Sequence, residues 1–110
     1  MRDIGVWAVY DGFSSLAVEW LAALGVARGH ALRDLLAEPE ALAHDGPVPV
    51  NPDGGMLAGG RLHGLGYVHE ACVQLRGAGG ARQVRPLPEA AVVAVGGGPI
   101  AGAAVLVRDD

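Results

Sequence analysis

The stretch that most constrains this chain runs from Asn51 to Gln83, NPDGGMLAGGRLHGLGYVHEACVQLRGAGGARQ. Its first half reads as a loop. Gly54, Gly55, Gly59, Gly60, Gly64 and Gly66 allow positive φ and a close approach of backbone to a neighbour or ligand. From Leu65 the pattern turns helical: Leu65, Val68, Ala71, Cys72 and Leu75 recur at the spacing of one apolar face, and Gly77 stands where a helix ends. A glycine loop feeding a helix start offers unpaired N–H groups and a positive dipole end to a ligand. If the helix begins by His63, then His63, Tyr67, Glu70 and Gln74 share one polar stripe.

The flanking segments frame this unit. Ile4 to Tyr10 is β-branched and aromatic and reads as a strand, broken by Asp11-Gly12. Ser14 or Ser15 can cap a helix with a stripe of Leu16, Ala17, Trp20, Leu21 and Leu24, ended by Gly25. His30 to Asp45 is a weaker helical pattern interrupted by Pro39, with its charges on a solvated face. Pro47, Pro49 and Pro52 extend the chain into the glycine loop. Gly79 to Pro88 is a turn-rich connector; Arg76, Arg82 and Arg85 around it could meet phosphate, though three arginines near a helix end are more often structural or solvated. Ala90 to Val95 and Ala101 to Val107 read as two buried strands, an antiparallel pair joined through Gly96-Gly97-Gly98.

Composition narrows the function classes. A chain of 110 residues makes at most one small domain. A hydrophobic content of 51% is high for so small a unit, which implies that a partner covers part of its surface. The net charge of −4, with no basic run, argues against a nucleic-acid partner. The single cysteine, Cys72, permits no internal disulfide, fits a reducing cytoplasm, and lies on the helix's apolar face, where a buried inert thiol belongs. Met1 to Trp7 has no apolar signal core. Ala90 to Val107 is long and uncharged, but its glycines and Pro99 fit strand–turn–strand better than a membrane span.

Generic catalytic signatures fail one by one. His69-Glu70 begins a zinc-protease motif, but Val73 occupies the place of the second histidine. Gly96 to Ala101 satisfies G-x-G-x-x-A, yet a strand rather than a helix follows. No G-K-[ST] follows any glycine run. No metal cluster is expected.

The run NPDGG, the glycine loop and the helix ending in QLRGAGGARQV, Gln74 to Val84, together resemble the C-terminal domain of the thiolase superfamily. The branch most resembled is that of the sterol-carrier and lipid-transfer thiolase-like enzymes. The resemblance covers nearly the whole chain. It implies an α/β fold: a partial thiolase-like C-terminal domain spanning residues 1–110, a mixed sheet with packed helices ending in an antiparallel strand pair. It also implies that the domain's first strand and helix, and a whole N-terminal domain, lie outside this chain. By the same match, VYDGFS at Val9 to Ser14 stands where the family carries N-E-A-F or Y-D-x-F, which points Tyr10 into an active site. From spacing alone Tyr10 is an ordinary strand-end aromatic.

Departures from the thiolase pattern separate the chemistries. The histidine of the family's G-H-P is Arg61 here, and an arginine stays protonated and cannot act as a general base. The cysteine of its C-x-G-G-G is Ala94. Ordinary thiolysis is therefore disfavoured, and His63 and Tyr67 stand at new positions. This pattern resembles the thiolase-like aldolases that cleave steroid side chains. The resemblance implies a coenzyme A thioester as substrate with no bound cofactor, an OB-fold acyl-CoA-binding partner, and a homodimer in the complete enzyme. Retro-aldol cleavage needs a base, an acid and oxyanion donors. Tyr10, Tyr67 and His63 are the candidates for proton transfer, with base and acid unassigned; His63 is equally readable as a structural histidine. Tyr67 beside Arg61 at a helix start has the setting that lowers a phenol's pKa. Gly97 and Gly98 are the candidate oxyanion donors, and Arg61 and Asn51 the candidate substrate-binding residues. The alternatives are a non-catalytic acyl-CoA or lipid carrier and the remnant of an acetyl-CoA acyltransferase.

Overall fold

The computed structural model describes residues 3–109, so the two residues that open the N-terminal reading and the final one lie outside the described residues. The chain forms β1 (Ile4–Val9), α1 (Ser14–Ala23), α2 (Gly29–Ala37), α3 (Gly55–Gly59), α4 (Leu65–Leu75), β2 (Ala90–Gly97) and β3 (Ile100–Val107). Two short 3-10 turns, Pro39–Leu42 and Gly80–Arg82, lie between them. The three strands form one mixed sheet in the order β1-β2-β3. β1 runs parallel to β2, and β2 antiparallel to β3.

The crossover from β1 to β2 carries every helix. α4 packs on one face, where Val6, Ala8, Ala91 and Val93 meet Tyr67, Ala71 and Leu75. The other face takes α1, where Val9 and Ala94 meet Leu21. Each fully buried valine or leucine of these clusters contributes roughly 1.5–3 kcal/mol, and each alanine methyl about 0.8 kcal/mol. The outer edge of β1 is paired as well. The Trp7 N–H donates to Pro49 O at 2.9 Å, and the Asn51 N–H donates to Trp7 O at 3.0 Å. The proline-held segment thus docks as a one-bridge strand, Val50 opposite Trp7.

Three local expectations are corrected. Neither Ser14 nor Ser15 caps α1: Phe13 is the N-cap and makes no side-chain bond. The glycine triplet is not all turn, because Gly96 and Gly97 complete β2 and the ladder closes at Gly97 opposite Ile100. A two-residue turn of Gly98, with φ +62, and Pro99 remains, and a positive φ followed by proline's fixed negative φ suits a tight hairpin.

The third correction concerns α4. The apolar stripe reaches the core only through Ala71 and Leu75: Leu65 is 71% exposed, and Val68 is exposed too. Glu70 and Gln74 from the polar stripe are buried instead. The reason lies in the connector. Arg82 donates to the Glu70 carboxylate from Nε at 3.0 Å and from Nη2 at 2.9 Å. Gln74 Nε2 donates to Glu70 Oε1 at 2.7 Å and to Arg82 O at 3.0 Å, while its Oε1 accepts from the Val84 N–H at 2.8 Å. Gln83 donates to Gln74 O at 3.0 Å and accepts from the Gly79 N–H at 2.8 Å. With every buried polar group paired, turning this face inward is tolerated. The QLRGAGGARQV run is therefore the clamp that fixes the helix to the connector.

Replacing Arg82 leaves the Glu70 carboxylate, 1% exposed, without its cation. Arg82→Ala is expected to lower stability by about 3 kcal/mol, near the low end for orphaning a buried charge because water reaches the arginine. Arg85→Ala, at an exposed site, should stay within about 0.5 kcal/mol of wild type. Urea midpoints of the two variants check the difference. The free edge of β3 generates a second expectation. Ile100, Val105 and Val107 are 83%, 60% and 50% exposed, and an uncharged open strand edge invites pairing with another chain. The chain purified by itself should self-associate, and Val105→Lys should shift it towards monomer in sedimentation velocity. A wild-type monomer at high concentration would contradict this.

Candidate active site

The C-terminal ends of β1 and β2 meet the glycine loop and the start of α4 at one edge of the sheet. In open α/β sheets this is the edge where ligands bind. A cleft of about 510 Å³ opens there, lined by Tyr10, Met56, Arg61, His63 and Gly96 among others. A larger cleft of about 820 Å³ lies at the opposite end of the strands, among Pro47, Pro49, Pro86 and Pro88. It brings together none of the candidate site residues.

Tyr10 extends β1: its N–H donates to Ala94 O at 2.8 Å, so its ring leaves the sheet at the cleft. Gly12 leaves room for it, since a Cβ there would strike the Tyr10 ring and the Met56 methyl. Arg61 and His63 stand on the loop across the cleft and are exposed. His63 has φ +50, a left-handed conformation that an ordinary side chain holds only where its surroundings impose it. It precedes α4 and does not extend the helical stripe.

Tyr67 is placed differently. Its ring is buried and lines a separate cavity of about 130 Å³ between α3 and α4. Met56 and Gly64 form the wall common to both spaces. The Tyr67 hydroxyl donates to Asp11 Oδ1 and accepts from the Asp11 N–H at 3.1 Å. Burial, and then the Asp11 carboxylate, push its pKa up to about 12. The expected lowering by Arg61 and the helix start is thus reversed. A phenol held neutral in this way donates a hydrogen bond and is a poor base at neutral pH.

Asp11 is the residue that the sequence reading passed over as a strand breaker. Only 7% exposed, it accepts from the Met56 N–H at 2.8 Å and the Leu57 N–H at 3.5 Å. These are unpaired donors of the first turn of α3, so Asp11 caps that helix from another element. An aspartate one residue after the candidate tyrosine was the available signal. Its partner lay at a separation no local pattern reveals.

The remaining candidates are distributed as follows. Asn51 has both polar side-chain atoms engaged by Val9: Oδ1 accepts from its N–H and Nδ2 donates to its O, both at 2.9 Å. Its amide thus extends the edge pairing of β1, which leaves one N–H and one oxygen lone pair beyond those bonds. Gly96, rather than Gly97 or Gly98, lines the cleft. The Gly96 carbonyl accepts from Trp20 Nε1 at 2.8 Å, and Gly97 lies beside Leu16. Cys72 is half-buried and lines a groove with Leu75 and Leu106, away from the cleft. Among the described residues, no group of three or more histidine, cysteine, aspartate or glutamate side chains could hold a metal ion. No described helix is long and apolar enough to cross a membrane.

The Tyr67–Asp11 pair has a signed pH signature. Because the folded-state pKa is raised from 10.0 to about 12, its stabilisation is complete below pH 10. It is lost as pH rises through about 12. The slope over that window corresponds to about 3 kcal/mol in all. Tyr67→Phe should remove the slope and cost about 1.5–3 kcal/mol at neutral pH, where the Asp11 carboxylate loses a donor. Denaturation curves from pH 7 to 12 measure both.

Comparison with known proteins places this geometry. The family model of the thiolase C-terminal domain-like proteins matches residues 1–109. A steroid side-chain-cleaving aldolase of Thermomonospora curvata is 38% identical over 76 residues, which are 68% of this chain and 19% of that protein. The solved structure of an Ltp2-ChsH2(DUF35) aldolase superposes with a TM-score of 0.82 at 27% identity, over 99% of this chain and 28% of that one. The chain thus spans less than a third of either relative. With its match to the family model running from residue 1 to residue 109, the chain belongs to the thiolase C-terminal domain-like family.

Proposed function

We propose that this chain supplies the C-terminal part of the active site of a thiolase-like aldolase. Its substrate would be a 3-hydroxyacyl-CoA thioester of the steroid side-chain type. The reading rests chiefly on the cleft that joins Tyr10, Arg61 and His63 at the ligand-binding edge of the sheet. Two aldolases resemble this chain, one of them named for steroid side-chain cleavage. Thiolysis is a weaker fit, because Arg61 and Ala94 replace the histidine base and the cysteine of C-x-G-G-G that it uses.

The step balances with side chains of this kind. A base takes the proton of the β-hydroxyl as its oxygen becomes a carbonyl. The Cα–Cβ bond breaks, and its electron pair passes to the thioester as an enolate. An acid then protonates Cα, giving a ketone or aldehyde and a shorter acyl-CoA. Tyr10 and His63, which share the cleft, are assigned to these proton transfers. Tyr67, fixed to Asp11, holds the wall behind them. The backbone around Gly96, which lines the cleft, takes over from Gly97 and Gly98 as the proposed source of enolate donors, and Arg61 faces the anionic part of the coenzyme. An N-terminal thiolase-like domain and an OB-fold acyl-CoA-binding protein complete the enzyme, which acts as a homodimer.

The test combines the chain with an N-terminal thiolase-like part and an OB-fold partner, and follows conversion of a 3-hydroxyacyl-CoA to the shorter acyl-CoA by mass spectrometry. Tyr10→Phe is expected to lower kcat by about 100-fold or more, the usual contribution of a positioned acid or base. Acyl-CoA binding without turnover in the wild-type assembly would instead favour the carrier role.

A further inference from the structure

The cavity between α3 and α4 holds more space than the fold requires. Its walls are the Tyr67 ring, Met56, Leu62 and a run of glycines. Three of those glycines are needed by the backbone: Gly55, Gly60 and Gly64 have φ of +64, +91 and +90. Gly59 and Gly66 are not. Both lie in helices, and neither is among the residues with positive φ. A Cβ on Gly59 would meet nothing within 4 Å, and one on Gly66 would meet only Leu62 Cδ1 at 3.6 Å, an ordinary contact. Glycine weakens a helix relative to alanine because it loses more conformational freedom on folding. Neither strain nor crowding accounts for these two. Both line the pocket beside Tyr67, where the absence of a side chain leaves open space.

We propose that this chamber is a binding subsite for a short aliphatic group, kept open by Gly59 and Gly66. The pocket opens to solvent past the exposed Gly59, Gly60 and Leu62, and its volume of about 130 Å³ approaches that of the closed apolar cavities, about 150 Å³, that take up benzene or xenon. Asp53 and His69 are its only charged or titratable lining residues besides Tyr67, and the Tyr67 hydroxyl is already committed to Asp11. The occupant is therefore an alkyl group and not an anion. Met56 separates the chamber from the Tyr10 cleft. A methionine is unbranched and adaptable, so a substrate in the cleft can push it aside and place an alkyl branch behind it. The identity of the substrate rests on the proposed aldolase reading; the chamber does not.

Xenon is the probe that separates the two. In the full chain, the 129Xe chemical shift should show saturable uptake. Xenon-pressurised crystals should place density against Met56, Leu62 and Tyr67. Gly59→Val and Gly66→Ala, on separate helices, should each abolish that uptake without lowering the melting temperature. Absent uptake in the wild type, or uptake unchanged in both variants, overturns the proposal. So does a lowered melting temperature in both, since the glycines would then serve the fold. In the assembled enzyme, Gly66→Ala should raise KM for substrates with a longer alkyl branch and leave short ones unaffected. Xenon uptake with no turnover of any substrate leaves the chamber standing and removes the aldolase reading.

Discussion

The carboxylate of Asp11 is the point through which the site is assembled. It stands just past the end of β1, receives the first N–H groups of α3, and receives the hydroxyl of Tyr67 from α4. The end of β1 and two helices at least 45 residues further along the chain thus share one buried carboxylate. A buried carboxylate is costly unless its lone pairs are filled, and here the partners come from α3 and α4 beside the cleft. Gly55 is small for the same reason, since a Cβ there would strike the Asp11 carboxylate. The glycine loop is shaped by this charge as much as by any ligand.

A second buried carboxylate organises the far end of α4. Glu70, Gln74, Arg82 and Gln83 form a closed set of hydrogen bonds between helix and connector. One end of the helix is therefore held by Asp11 and the other by Arg82. Between them α4 has little freedom to roll, which fixes Tyr67 behind the cleft and leaves Leu65 and Val68 facing outward. Those exposed side chains and the free edge of β3 form apolar surface of the kind a partner covers.

The same arrangement sorts the tyrosines. Tyr10 lines the open cleft with Arg61 and His63. Tyr67 is enclosed, neutral and bonded. Two phenols that look equivalent in a motif thus have different chemistry, because one borders a cleft and the other a carboxylate. Asn51 makes a similar point: what reads as a polar ligand donor spends both ends of its amide on the backbone of Val9.

The sequence by itself determined the order of elements, the strand pair at the end, the glycine loop before α4 and the placement of Tyr10 at a strand end. These follow from local periodicity and from glycine and proline, whose effects act over a few residues. It also carried the family, through QLRGAGGARQV and NPDGG. Tertiary structure alone decided which face of α4 is buried. Hydrophobic spacing favoured Leu65, Val68 and Cys72, but the paired Glu70 and Gln74 won because their partners arrive from the connector. It alone decided that Asp11 is a cap and that Tyr67 is a donor. The first depends on a contact between residues 45 apart in the chain and the second on one between residues 56 apart, and a short-range pattern holds no record of a partner that only folding brings near.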